Sequence, residues 1–191
     1  MKRDTALLIV DVQVGMFEDF GLPYKGEEVL SAIRGLIAEA RSAEVPIIYI
    51  QHCGDKGECL DPASAGWQLH PELTPASGDV IIQKRTPDSF KDTNLQHTLD
   101  GGGIKRLVVT GLQTEYCIDT ICRRAFSLGY DVTLAMDAHT TFDSETLTAP
   151  EIISHHNTIL GNWFVKLKEA SQIVFHDLSR DDGGRNLKRS D

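Results

Sequence analysis

The stretch VVTGLQTEYCIDTICRRAF, residues 108–126, changes character halfway. It opens on apolar, β-branched residues that read as a buried strand, turns through GLQTEYC, and continues as a helix. Cys117 sits at that joint. The same strand-then-helix alternation extends in both directions. Short runs at 6–10, 47–50, 80–82, 107–109, 132–135 and 173–175 are rich in Val and Ile and apolar throughout, as in strands covered on both faces. Between the first two lies EEVLSAIRGLIAEARSAEVP, with a helical stripe of Val29, Ile33, Leu36, Ile37 and Ala40 that ends before Pro46. Residues 94–100, 117–128 and 149–168 are further helix candidates. The fold class predicted is α/β: a three-layer, Rossmann-like domain with a six-stranded parallel sheet and right-handed crossovers.

The chain of 191 residues suits one domain, expected over 1–175, with a mobile or partner-held tail over 176–191. Apolar residues make up 41% and charged residues 25%, with a formal net charge of −9. That acidic balance argues against a nucleic-acid partner, which needs a clustered basic face. No apolar run approaches the roughly 18 residues that span a bilayer. The opening MKRDTALLIVDVQ reads as a first strand rather than a signal peptide, because Asp11 interrupts the run and no small-residue cleavage site follows. Four cysteines in a chain this long do not suggest a disulfide scaffold, so a reduced, cytoplasmic setting is expected.

Residues 52–78, HCGDKGECLDPASAGWQLHPELTPASG, keep no period and gather Gly, Pro and acids. A loop of this length in a compact domain is usually functional or disordered, and Trp67, Leu69 and Leu73 give it apolar anchors. An ordered lid over a site is expected there.

In an open α/β sheet, ligands bind beyond the carboxyl ends of the strands. Asp11 follows the first strand, Lys84 follows DVIIQ, and Cys117 follows the fourth strand. An acid, an ammonium and a thiol therefore meet at one sheet edge. A helix N-terminus and a nearby cation favour the thiolate. Asp11 would take the thiol proton and return it to a leaving group, and backbone amides of GLQTEYC would receive an oxyanion. Each residue alone has a bland reading: packing for the cysteine, a strand terminus for the acid, a surface position for the lysine. Three such coincidences at one edge favour chemistry.

The sequence resembles the isochorismatase-like cysteine hydrolases, the superfamily that includes nicotinamidases and related amidases. The resemblance rests on LLIVDVQVGMF around Asp11, VIIQKRTPDSFKDTNL around Lys84, and VVTGLQTEYCIDTICRRAFSLGYDVTLAMDAHTTFD around Cys117, and runs from about residue 6 to 175. It implies Asp11 as acid/base, Lys84 as activating cation and Cys117 as nucleophile. It also implies a cis peptide just before Gln113, with the amides of Gln113 and Cys117 as oxyanion hole. Nicotinamidases hold a metal with an Asp-x-His pair after the second strand. Here that segment reads YIQHCGDKGECLDP, so no metal and no cofactor are expected, and His52, Cys53, Cys59 and His70 do not match a structural zinc spacing.

Retention of Cys117 favours a thioester acyl-enzyme and C–N cleavage of a small carboxamide or lactam over vinyl-ether hydrolysis, and GWQLHPEL also occurs in relatives acting on small amides and lactams. A non-catalytic binding domain on the same scaffold is the alternative. Gln13, Phe17, Trp67, His70 and Tyr116 are the candidate substrate contacts, with Trp67 equally readable as a pin for its loop. Ser89 and Phe90 read as structural, and His139 and the pair His155 and His156 as non-catalytic. Cys122 is not spaced as a resolving cysteine for Cys117. A homo-oligomer, dimer or tetramer, is expected from the resemblance.

Overall fold

The computed structural model describes residues 4–19 and 21–178. The chain runs β1 (Thr5–Val10), α1 (Gly15–Glu18), α2 (Gly26–Ser42), β2 (Ile47–His52), β3 (Val80–Lys84), α3 (Leu95–Gly102), β4 (Arg106–Leu112), a π-type turn (Thr114–Ile118), α4 (Asp119–Ser127), β5 (Asp131–Thr140), α5 (Ala149–Trp163), β6 (Lys166–Lys168) and α6 (Phe175–Leu178). Six parallel strands form one sheet in the order β3-β2-β1-β4-β5-β6.

Alternation along β1 builds the layers. Leu7 and Ile9 join a core with Ile33, Leu36 and Ala40 of α2. Ala6, Leu8 and Val10 point the other way, into a core with Leu99 of α3, Ile121 of α4 and Leu160 of α5. A strand buried on both faces must be apolar at every position, which is why β1 has no polar–apolar rhythm. Because β2 and β4 both flank β1, the strand order reverses there and a crevice opens beyond its carboxyl end.

Two expectations need correction. The sixth strand is Lys166–Lys168, not residues 173–175, and the last long helix stops at Trp163 rather than reaching 168. An edge strand of three residues reading KLK carries no apolar run by which to find it. Ile173 and Phe175 are buried all the same, in the core under α2, and Phe175 begins α6. Residues 176–178 of the expected tail thus belong to α6, and the rest of it lies outside the described residues.

The loop after β2 is ordered with almost no regular structure. Val14 N–H donates to Gln68 O at 2.8 Å, Gly15 N–H to Gly66 O at 2.8 Å, and His70 N–H to Val12 O at 3.0 Å. These bonds tie the loop to the segment after β1. Among the described residues no helix is long and apolar enough to cross a membrane.

Candidate active site

Asp11 leaves β1 with its N–H on Ile50 O at 2.9 Å and a left-handed backbone, φ 53°. Aspartate tolerates that region better than most residues, and the turn presents its carboxylate above the sheet edge. Lys84 ends β3, where it is register partner to His52 at the end of β2. Beyond β4 the Leu112–Gln113 peptide is cis, and the π-type turn carries Cys117 back over the edge. Gly111, with φ 118°, lets β4 approach β1 here: a Cβ at this position would overlap Val10 O.

The three side chains converge. Lys84 Nζ donates to Asp11 Oδ2 at 2.7 Å and to Cys117 Sγ at 3.1 Å. Its side chain has no solvent exposure and that of Asp11 has 5%. Burial pushes the Lys84 ammonium down, but the Asp11 carboxylate and then Cys117 outweigh it, leaving its pKa above the usual lysine value. Burial and the negative charge of Asp11 push the Cys117 thiol up to about 12, with Lys84 pulling the other way. The pull of Lys84 toward a thiolate is thus opposed by burial and by Asp11. Asp11 Oδ1 is buried with no hydrogen-bond partner, an acceptor left open next to that thiol.

Asp11 and Cys117 line a cleft of about 630 Å³ with Met16, Asp19, His52, Gly54, Glu58, Cys59, Leu60, Pro87, Gln113 and Tyr116. Segment 54–60 of the long loop forms one wall, so part of the expected lid does face the site. Lys84 donates a further bond toward His52 Nδ1 at 3.3 Å. Burial first, and the Lys84 charge second, hold the His52 ring below its ordinary value.

Of the candidate substrate contacts, Tyr116 lines the cleft and is 55% exposed. The other four do not line it. Gln13 is fully buried: its Nε2 donates to His52 O at 3.0 Å and Trp67 O at 2.8 Å, and its Oε1 accepts from His52 N–H at 2.8 Å. All its polar capacity holds the loop and the end of β2. The Trp67 carbonyl also accepts from Gln51 Nε2 at 3.0 Å, so the Trp67 backbone is anchored to β2 as well as to Gln13. Phe17 is buried in the α2 core with its ring 4.8 Å from that of His70, fastening α1 to the loop. His70 Nδ1 accepts from Glu72 N–H at the start of a 3₁₀ turn.

Sequence reasoning missed Met16, Asp19, Glu58, Leu60 and above all His52 as cleft residues. The available signal for His52 was its place at the carboxyl end of β2, beside Lys84. Among the described residues, no three His, Cys, Asp or Glu side chains are grouped to hold a metal. Behind the nucleophile turn, His139 is buried with Nδ1 2.9 Å from Thr114 Oγ1 and Nε2 2.9 Å from Asn157 Oδ1. Asn157 Nδ2 donates to Met136 O, so its Oδ1 is the acceptor and the His139 proton is on Nε2. Cys122 is fully buried in the α4 core.

The isochorismatase domain family model matches residues 5–150. Streptothricin hydrolase of Streptomyces noursei is 36% identical over 147 residues, covering 77% of this chain and 52% of that protein. The chain thus spans about half the length of the streptothricin hydrolases it matches. Ureidoacrylate amidohydrolase RutB of Caulobacter vibrioides is 28% identical over 172 residues, 71% of this chain and 76% of that protein. An isochorismatase crystal structure from Pseudomonas putida KT2440 superposes with a TM-score of 0.81 at 30% identity, covering 90% of each chain. With the family model matched over most of its length, and that fold reproduced, the chain belongs to the isochorismatase family.

Proposed function

We propose that this protein is a cysteine hydrolase that cleaves a C–N bond of a small carboxamide or lactam. The observation that carries the reading is the meeting of Asp11 and Cys117 on one buried ammonium, at 2.7 and 3.1 Å, on the wall of an open cleft.

Cys117 Sγ attacks the substrate carbonyl carbon while the thiol proton moves to Asp11, whose Oδ1 has no other partner. A base with the thiol beside it resolves the difficulty of a thiol whose pKa lies far above neutrality: the proton leaves as the S–C bond forms. Lys84 steadies the sulfur as charge develops on it. The carbonyl electrons move onto oxygen, toward the amides of Gln113 and Cys117 at the cis turn. Collapse breaks the C–N bond, and Asp11 returns its proton to the departing nitrogen. Water then attacks the thioester, giving one proton to Asp11 and releasing the acid, and Cys117 recovers its proton.

The relatives' names, a hydrolase and an amidohydrolase, support this bond class. The test is turnover of a panel of small primary amides and lactams by wild type and Cys117→Ala, with circular dichroism to check the fold. Release of ammonia or amine by wild type, abolished in a folded Cys117→Ala, is expected. Wild-type rates in that variant would rule the mechanism out.

A further inference from the structure

Lys84 is an ammonium with three protons and no solvent exposure. Buried and charged, it requires a partner for each. Asp11 Oδ2 takes one and Cys117 Sγ the second. The third acceptor is His52 Nδ1, 3.3 Å away on the neighbouring strand. An ammonium only donates, so this ring nitrogen carries no proton. The ring is then neutral, with its hydrogen on Nε2. That Nε2–H has no hydrogen-bond partner among the described residues, although His52 lines the cleft. The ring is also held firmly from behind. Gln13 clamps the His52 backbone through both its N–H and its C=O, at 2.8 and 3.0 Å.

We infer that His52 is the positioning residue of this site: its Nδ1 takes the third Lys84 proton, and its free Nε2–H is the donor offered to a hydrogen-bond acceptor on the substrate. The inference rests on the cysteine-hydrolase reading of the cleft. Four charged groups act electrostatically on the ring: Lys84 and Arg85 at and after the end of β3, Asp11 after β1, and Glu58 on the loop. Lys84 and Arg85 oppose a charge on His52, and Asp11 and Glu58 favour one. Protonation of His52 removes the third acceptor and sets two cations side by side, which turns Lys84 away from Cys117. Activity therefore carries an acid limb that belongs to His52, below the ordinary imidazole value.

The test is the rate of Cys117 acetylation by p-nitrophenyl acetate from pH 5 to 8, read by peptide mass in the full chain, in wild type, His52→Asn and His52→Leu. Asparagine places Oδ1 where Nδ1 sits and does not titrate. Wild type is expected to fall toward about tenfold per pH unit on the acid side. His52→Asn is expected to lose that limb and to acetylate several-fold faster than His52→Leu near pH 7.5, with circular dichroism confirming that both variants are folded. An acid limb unchanged in His52→Asn, or wild-type rates in His52→Leu, overturns the assignment while leaving the hydrolase reading standing. Failure of that reading looks different: wild-type Cys117 then acetylates no faster than Cys59, and both ideas fall together.

Discussion

Lys84 donates to Asp11 Oδ2 across 2.7 Å, from a side chain that water does not reach. Two charges taken out of water tolerate each other's presence and not each other's absence. That coupling governs both the stability of the sheet edge and the state of the thiol beside it.

Replacing Lys84 with Met leaves the Asp11 carboxylate buried without its cation. A loss of about 3–5 kcal/mol in stability is expected from breaking one side of such a pair. The double variant Lys84→Met/Asp11→Asn recovers most of it, because no lone charge remains. Urea unfolding of the three variants measures this. Equal destabilisation of single and double variants would show that the pair is not coupled.

Asp11→Asn separates thiol reactivity from turnover. The carboxylate helps push the Cys117 thiol up to about 12 while Lys84 pulls it down, so removing the carboxylate lowers that pKa. Thiolate at a given pH rises by about tenfold for each unit of the fall. Iodoacetamide alkylation of Cys117 should therefore quicken in Asp11→Asn, whereas hydrolysis should drop by about 10²–10⁴ for want of a general base. Peptide mass mapping reads the first and product release the second. Slower alkylation in this variant contradicts the arrangement.

The cleft presents Asp11, Asp19 and Glu58 to an incoming molecule. A cationic methanethiosulfonate is expected to label Cys117 several-fold faster than an anionic one of similar size at low salt. The preference should shrink in 1 M salt, where charges are screened within about 3 Å, and in Asp19→Asn/Glu58→Gln. A faster anionic reagent would mean that Lys84 and Arg85, not the acids, set the potential at the sulfur.

His139 ties acid stability to the nucleophile turn. Burial holds its pKa at about 4, below the usual 6.5, while it bonds Thr114 and Asn157 as a neutral ring. The unfolded chain takes up that proton first as pH falls. Stability is thus full above pH 6.5, declines between 6.5 and about 4, and loses nothing further from this group below that. The decline is on the order of 3 kcal/mol at about 1.4 kcal/mol per unit. Urea midpoints from pH 7 to 4 should slope less steeply in His139→Gln than in wild type; identical slopes would remove His139 from the account.

The positions of Asp11, Lys84 and Cys117 at one sheet edge were legible because strand-end residues of a parallel sheet share that edge whatever the details of packing. β6 was not legible. An edge strand needs no apolar run, and the apolar Ile173 and Phe175 belong to a core built by α2. Gln13, Phe17, Trp67 and His70 looked like substrate contacts because aromatic and amide side chains line pockets and pin loops equally well. Only the path of the long loop keeps them off the cleft wall, with Gln13 bonded to the Trp67 carbonyl and Phe17 packed on His70. His52 was overlooked because nothing local in YIQHCG says which residue of β3 lies across from it.

The sequence by itself determined the first five strands, the longer helices between them and which three reactive side chains reach the crevice, since periodicity and strand ends are local properties of the chain. Tertiary structure decided the chemical state of those groups. Cross-strand register sets His52 against Lys84, and burial beside Asp11 works against a thiolate at Cys117. Charge interactions and desolvation depend on distances between segments far apart in the chain, and those distances exist only once the sheet is assembled.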